Sequence, residues 1–216
     1  MVYLVLNIDI GGVLIIKNYL QFKPSFDLKE DIKQYFSNFN SLETYNHSLD
    51  VLEELSYIEK VVGVVDKYSY IACLCHDLGR VVAKEDIILF CRENNIHITE
   101  EEKLLPSILH QRISKFITAN VFKIENEKIL NAIGYHTTSR EKPSNIEMEV
   151  FLADKLSFRE KEFFMIVKEI KSSLKNSKEE AMLYYLKELY KKKNELRLYH
   201  TDAYKAYKYF KKLLKD

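Results

Sequence analysis

At 216 residues with 47% apolar content the chain can bury a substantial core, and with only 5 Gly and 3 Pro it favours long helices over many-turned sheets. Three cysteines, Cys73, Cys75 and Cys91, each among apolar neighbours, speak against a disulfide framework, and no run of about 18 apolar residues suggests a membrane span. The net charge of +1 conceals an asymmetry: residues 155–216 carry 17 Lys and Arg against 9 Asp and Glu, so the remainder is acidic.

Val2, Leu4, Leu6, Ile8 and Ile10 alternate with other residues, Gly11-Gly12 interrupts, and Val13 to Ile16 resume, which predicts a β-hairpin with a glycine turn. Asp9-Ile10-Gly11-Gly12 lacks the Lys-Ser/Thr or third glycine of a phosphate loop. The same stretch has no basic n-region or small-residue cleavage site and carries Asp9, so no signal peptide is read and a cytoplasmic protein is expected. Residues 1–40 are expected to be an extension, hairpin plus linker, and 41–216 the main domain.

Past Pro24 the pattern is helical throughout. Tyr45, Leu49, Leu52 and Leu55 form a stripe close to His47. The apolar run from Tyr68 to Cys75 leads into His76-Asp77, with Gly79 as the expected helix stop. Ile87, Ile88 and Cys91 mark a helix ending near Asn94-Asn95, and Thr99-x-x-Glu102 predicts a capping box opening the next. His110 shares a face with Ile113 and Ile117, and the helix through Ile129, Ala132 and Ile133 runs towards His136.

Thr137-Thr138-Ser139-Arg140 then offers three hydroxyls and a guanidinium, suited to phosphate oxygens or to an ordinary loop at a helix end. Asp154 sits in the apolar run Val150-Phe151-Leu152-Ala153, where an acid is costly unless paired or metal-bound. Phe163 to Leu174 continue the helical period, Ser177 with Glu180 caps a following helix, and Thr201 caps the last. The basic charges of this region fall on polar helix faces, as on a solvated surface, so no nucleic-acid partner is expected. Its tyrosine-rich helices suggest a homodimer. The fold class is therefore all-α.

His47, His76, Asp77, His110, His136 and Asp154 each lie on or beside an apolar helical face. Imidazole and carboxylate without thiolate suit iron, manganese, nickel or zinc. Six ligands point to two metals sharing a carboxylate, with Asp77 as the natural bridge. Such a pair lowers the pKa of bound water from about 15.7 towards 7 and fits hydrolysis of a phosphate ester or anhydride.

The order His47, His76-Asp77, His110, His136, Asp154 resembles the HD-domain phosphohydrolase superfamily. The segments LHQRISKFI, AIGYHTTSR and VFLADK resemble, more narrowly, the bacterial HD-domain symmetrical bis(5'-nucleosyl)-tetraphosphatases, from about Ser41 to the C-terminus and including His200. The resemblance implies a di-iron site held by all six residues and cleavage of diadenosine tetraphosphate to two ADP by a metal-bridging hydroxide. It further implies phosphate contacts from Arg80, which stands where that family has a lysine, and from Arg140 and Arg159; Thr137 and Thr138 are expected to join them. This chain departs at Thr44, where an arginine often precedes the first histidine, and at Leu156-Ser157-Phe158, where Glu-Pro or Trp-Asp is usual. Both departures bear on substrate choice. An HD phosphohydrolase for another nucleotide or alarmone is one alternative, although Leu78-Gly79-Arg80 lacks the acidic pair of guanosine tetraphosphate hydrolases and His136 replaces the proline of a Gly-Tyr-Pro signature. A catalytically silent nucleotide- or RNA-binding module is the other.

Overall fold

Among residues 18–25 and 27–215, which the computed structural model describes, the chain forms ten α-helices and no strand. The expected hairpin, Val2 to Ile16 with its Gly11-Gly12 turn, lies outside the described residues. Helix α1 (Leu28–Asn38) opens on Asp27, whose carboxylate accepts the backbone N–H groups of Lys29 and Glu30. Its Ile32, Tyr35 and Phe36 are fully buried, and for apolar side chains such as Ile32 and Phe36 burial is worth about 1.5 to 3 kcal/mol apiece. They join the same core as Leu55, Ile113 and Phe151. Ahead of α1, Tyr19 packs on Phe39 and Phe90, and its hydroxyl donates to Asp86 at 2.8 Å. Tyr19 and α1 thus share a core with residues beyond position 40.

Next come α2 (Leu42–Val62), α3 (Lys67–Cys75), α4 (Ile87–Glu93), α5 (His110–Asn120), α6 (Glu127–Gly134) and α7 (Asn145–Leu156). Helix α7 is the axis: every residue from Ile146 to Leu156 is buried, against α2, α3, α6 and, further on, α9. It begins with a reciprocal capping box between Ser144 and Glu147. A buried helix with charged residues must pair them. Glu149 accepts from Lys178 at 2.7 Å, the Ser69 hydroxyl at 2.6 Å and the Asp66 backbone N–H at 3.1 Å, which ties α7 to α3 and α9. Helices α8 (Phe164–Leu174), α9 (Lys178–Lys191) and α10 (Thr201–Leu213) pack in succession and join the bundle through α9 on α7 and α8 on α7 and α2.

Three local expectations change. Gly79 does not stop α3, which ends at Cys75; it lies in a 3-10 turn, Leu78–Val81, pressed against α5. A Cβ there would overlap the His110 carbonyl and lie 2.7 Å from the Ser114 nitrogen, while the Gly79 N–H donates to the Ser114 hydroxyl at 2.8 Å. Glycine is needed for close approach, not for a left-handed backbone. Thr99 and Glu102 do bond reciprocally, but only a 3-10 turn, Glu102–Leu104, follows before Pro106. The cap of α10 is His200, whose Nδ1 accepts the Asp202 N–H at 3.0 Å, while the Thr201 hydroxyl donates to Glu101.

All three cysteines are free and buried, and burial pushes the Cys75 and Cys91 thiols up to about 12 and about 11, as expected of inert core residues. No helix among the described residues is long and apolar enough to cross a membrane.

Candidate metal centre

Three helix ends and one helix middle bring the histidines together. His76 follows the last residue of α3, His110 opens α5, His136 lies just past α6, and His47 projects from α2. The Nδ1 atoms of His76, His110 and His136 lie 2.8, 2.7 and 2.8 Å from the carbonyl oxygens of Cys73, Ser107 and Ile133, each three residues earlier. An imidazole anchored this way carries its proton on Nδ1 and turns the Nε2 lone pair inward. Burial pushes His76 down to about 4 and, with help from Arg80, His110 down to about 3, so both are neutral at pH 7. At His47, burial is outweighed by the hydrogen bond and charge of Asp154 and the charge of Asp77, and its pKa is raised.

The inward atoms fall into two groups. His47 Nε2 lies 3.2 Å from Asp154 Oδ1 and 3.8 Å from Asp77 Oδ2, and His76 Nε2 lies 3.7 and 3.6 Å from the same two oxygens. In the second group His110 Nε2 and His136 Nε2 are 3.0 Å apart, and 3.3 and 3.5 Å from Asp77 Oδ1. One carboxylate thus turns an oxygen to each group. Asp77 and Asp154 are both held well below the usual carboxylate range despite burial, Asp77 chiefly by His76 and His136, Asp154 chiefly by Lys155 and His47.

Asp77 Oδ1 is buried without a hydrogen-bond partner. An anionic oxygen facing two imidazole lone pairs in the interior is strongly unfavourable unless a cation sits among them. Neutral nitrogen and anionic oxygen donors with no thiolate are a set that first-row divalent metals accept. The six residues therefore fit two metal ions, with His47, His76, Asp154 and Asp77 on one side and His110, His136 and Asp77 on the other.

Beside this cage lies a cavity of about 740 Å³, with His47, Asp77, His110 and Asp154 on its floor and Arg80, Lys155 and Arg159 among its lining residues. Leu105, Ile108, Leu189, Leu196, Leu198 and Tyr199 are its apolar contributors. Arg80 Nε donates to Asp77 Oδ2 at 2.5 Å, and its side chain remains half exposed. Arg159 is held by Glu54 at 2.9 Å. The Thr137 hydroxyl lies 3.1 Å from His110 Nε2, whereas Thr138 is buried and its hydroxyl donates to the Ser139 carbonyl.

Arg140 is placed elsewhere. Its Nε and Nη2 donate to the two Glu147 oxygens at 2.5 and 3.0 Å, its guanidinium stands over the Tyr135 ring, and it does not line the cavity. The nearby buried acid engages the guanidinium fork that was expected to meet phosphate.

The sequence reading missed Lys155, Gln111 and Glu102. Gln111 Oε1 accepts the Thr137 N–H at 3.1 Å and so shapes the turn after α6. Glu102 is fully buried and bonded to Arg112 at 3.0 Å and to His200, a cavity-wall residue, at 3.4 Å. The cation next to Asp154 in an apolar run was the available signal for Lys155. At the Leu156-Ser157-Phe158 departure, the Ser157 hydroxyl donates to the Asp154 carbonyl at 2.7 Å, and Phe158 packs on Phe163 and lines the cavity.

Comparison with known proteins finds a match of residues 44–159 to the HD domain family model. A Lactococcus lactis subsp. cremoris protein, named only as an uncharacterized protein in the pepC 5' region, is 33% identical over 118 residues, 55% of this chain and 60% of that one. A symmetrical bis(5'-nucleosyl)-tetraphosphatase of Halalkalibacterium halodurans is 28% identical over 112 residues, 51% of this chain and 58% of that one. The matched stretch spans less than two thirds of either relative. A crystal structure from Clostridium acetobutylicum, titled a predicted HD superfamily hydrolase involved in NAD metabolism, superposes with a TM-score of 0.77 over 88% of this chain and 99% of that one. At 23% identity that likeness is one of fold.

Proposed function

Because this chain belongs to the HD domain family, we propose that it is a metal-dependent phosphohydrolase that cleaves diadenosine tetraphosphate symmetrically to two ADP. The observation that carries the reading is the division of the cage by Asp77, whose two oxygens face separate ligand groups 3.3 to 3.8 Å away. The name of the Halalkalibacterium halodurans relative supports the choice of substrate. So does a cavity whose lining includes Arg80 and Arg159 together with several apolar side chains, a combination suited to a nucleoside polyphosphate.

Two divalent ions bound to the cage would supply a hydroxide at neutral pH, by lowering the pKa of water from about 15.7 towards 7, and would offset charge on the phosphate oxygens. The chain's own residues do the rest. Arg80 steadies Asp77 through Nε and keeps a half-exposed guanidinium at the cavity for the charge that builds on a phosphate. Arg159, held by Glu54, contacts a more distant phosphate, and Leu196, Leu198 and Tyr199 pack against a nucleoside. Hydrolysis breaks the P–O bond at the centre of the tetraphosphate; the water oxygen stays on one ADP, and the other leaves as a stabilised anion that needs no strong general acid.

The test is anaerobic purification, metal analysis and product identification with diadenosine tetraphosphate, beside an Asp77→Ala variant. Two ADP from the wild type, with metal and activity lost together in the variant, is the expected result. ATP plus AMP, or full activity in Asp77→Ala, would overturn it.

A further inference from the structure

Lys155 immediately follows a candidate metal ligand, is only 4% exposed, and is not used by the hydrolysis just described. Its Nζ donates to Asp154 Oδ2 at 2.5 Å and lies 3.4 Å from the His136 carbonyl oxygen. The rings of Phe151, Phe158 and Tyr185 surround the ammonium, with centroids at 4.9, 5.7 and 5.9 Å. These contacts hold the ammonium against Asp154 Oδ2.

The consequence falls on Asp154. A carboxylate with both oxygens open can chelate one cation, but here Oδ2 accepts from the buried ammonium while Oδ1 lies against His47 and His76. On that side of the cage Asp77 presents Oδ2; Arg80 Nε donates to the same atom, but from a half-exposed side chain, whereas the ammonium on Asp154 is buried. The donor set is thereby held at two imidazole nitrogens and two single oxygens. Zinc accepts such a four-donor set, whereas manganese, a harder ion, gains more from additional oxygen donors.

Resting on the reading of the cage as a metal centre, we propose that Lys155 is a positioning residue that restricts Asp154 to one metal-facing oxygen and so sets which divalent cation the His47–His76 side prefers. Removing the ammonium while keeping the length and apolar contacts of the side chain frees Oδ2. The preference should then move from Zn2+ towards Mn2+.

The experiment is equilibrium competition between Zn2+ and Mn2+ for the full-length chain after chelator stripping, read as bound metal per chain by elemental analysis. Lys155→Met should raise the Mn2+:Zn2+ ratio about tenfold, the lower end of what altering a ligand's hydrogen-bond partner does to metal binding. Lys155→Arg, which keeps a cation beside Asp154, should stay near the wild-type ratio. An unchanged ratio in a folded Lys155→Met overturns the proposal. Should that variant not fold, Lys155→Gln takes its place: a raised ratio supports the proposal, while an unchanged ratio or renewed failure to fold overturns it and leaves a structural ion pair. A wild-type chain that binds neither ion would instead overturn the metal centre itself, and this proposal with it.

Discussion

Gly79→Ala places one methyl group where the turn after His76-Asp77 meets α5. The added Cβ would overlap the His110 carbonyl and lie 2.7 Å from the Ser114 nitrogen and 2.9 Å from Ile113 Cβ. Two of these three neighbours are backbone atoms, so no side-chain rotation relieves the overlap and α5 must move as a unit. Overpacking of this kind costs about 1 to 3 kcal/mol. Weakening the Gly79 to Ser114 hydrogen bond adds about 0.5 to 1.5 kcal/mol. At about 2 to 4 °C per kcal/mol for a chain of this size, Tm should fall by about 3 to 18 °C. Because α5 begins at His110, the same displacement draws His110 Nε2 away from Asp77 Oδ1, now 3.3 Å distant, and the His110–His136 side should lose metal. Thermal denaturation and metal content per chain measure the two effects. Gly63→Ala is the control: its φ of +93° strains an alanine by about 1 kcal/mol or more, but nothing lies within 4 Å of the added Cβ, so metal content should hold. A Gly79→Ala protein with Tm within about 1 °C of wild type and a full complement of metal would refute the close-approach argument.

Chelation should destabilise the chain as well as stop hydrolysis: metal at 100 times its Kd contributes about 2.7 kcal/mol, so a Tm that ignores added Mn2+ would count against the cage. Glu102 is pushed up by burial, but His200, Thr99 and Arg112 bring it down to about 2, so the unfolded chain takes up its proton first on acidification. Its contribution is present above about pH 4.5 and is lost as the pH falls to about 2; Glu102→Gln should flatten acid unfolding across that window, and an unaltered profile would dismiss the Glu102 contacts as a stabilising link. Arg159→Ala should raise KM about tenfold with kcat nearly constant, as expected when a charged contact serves ground and transition states alike. A fall in kcat alone would place Arg159 at the reacting phosphorus instead.

The six proposed ligands were legible because each interrupts or ends an apolar helical stripe, and a buried His or Asp in that position needs a partner. What escaped the sequence depended on contacts made at a distance or on choices between local partners. Gly79 looks like a helix stop until α5 is laid across it, more than thirty residues later in the chain. Glu102 forms its local bond with Thr99 as the Thr-x-x-Glu spacing predicts, yet its burial is explained by Arg112 and His200. Arg140 was read as a phosphate ligand because its neighbours are hydroxyls, and its bonds to both oxygens of Glu147, one helical turn into α7, were not foreseen. Lys155 was hidden by its type, since a lysine near a helix C-terminus ordinarily points to water. The packing of α1 was not foreseen because residues 28–38 were grouped with the extension rather than with the main domain.

With two ions in the proposed cage, the shared Asp77 carboxylate would make loading stepwise. The side built from His47, His76 and Asp154 has four inward atoms and a second acid, while the side built from His110 and His136 has three. A cation entering the richer side would neutralise part of Asp77 and leave less attraction for the next, so the first ion would be held more tightly than the second. With metal scarce, chains carrying a single ion would then accumulate, and the supply of the second ion would set the fraction of molecules with a complete centre.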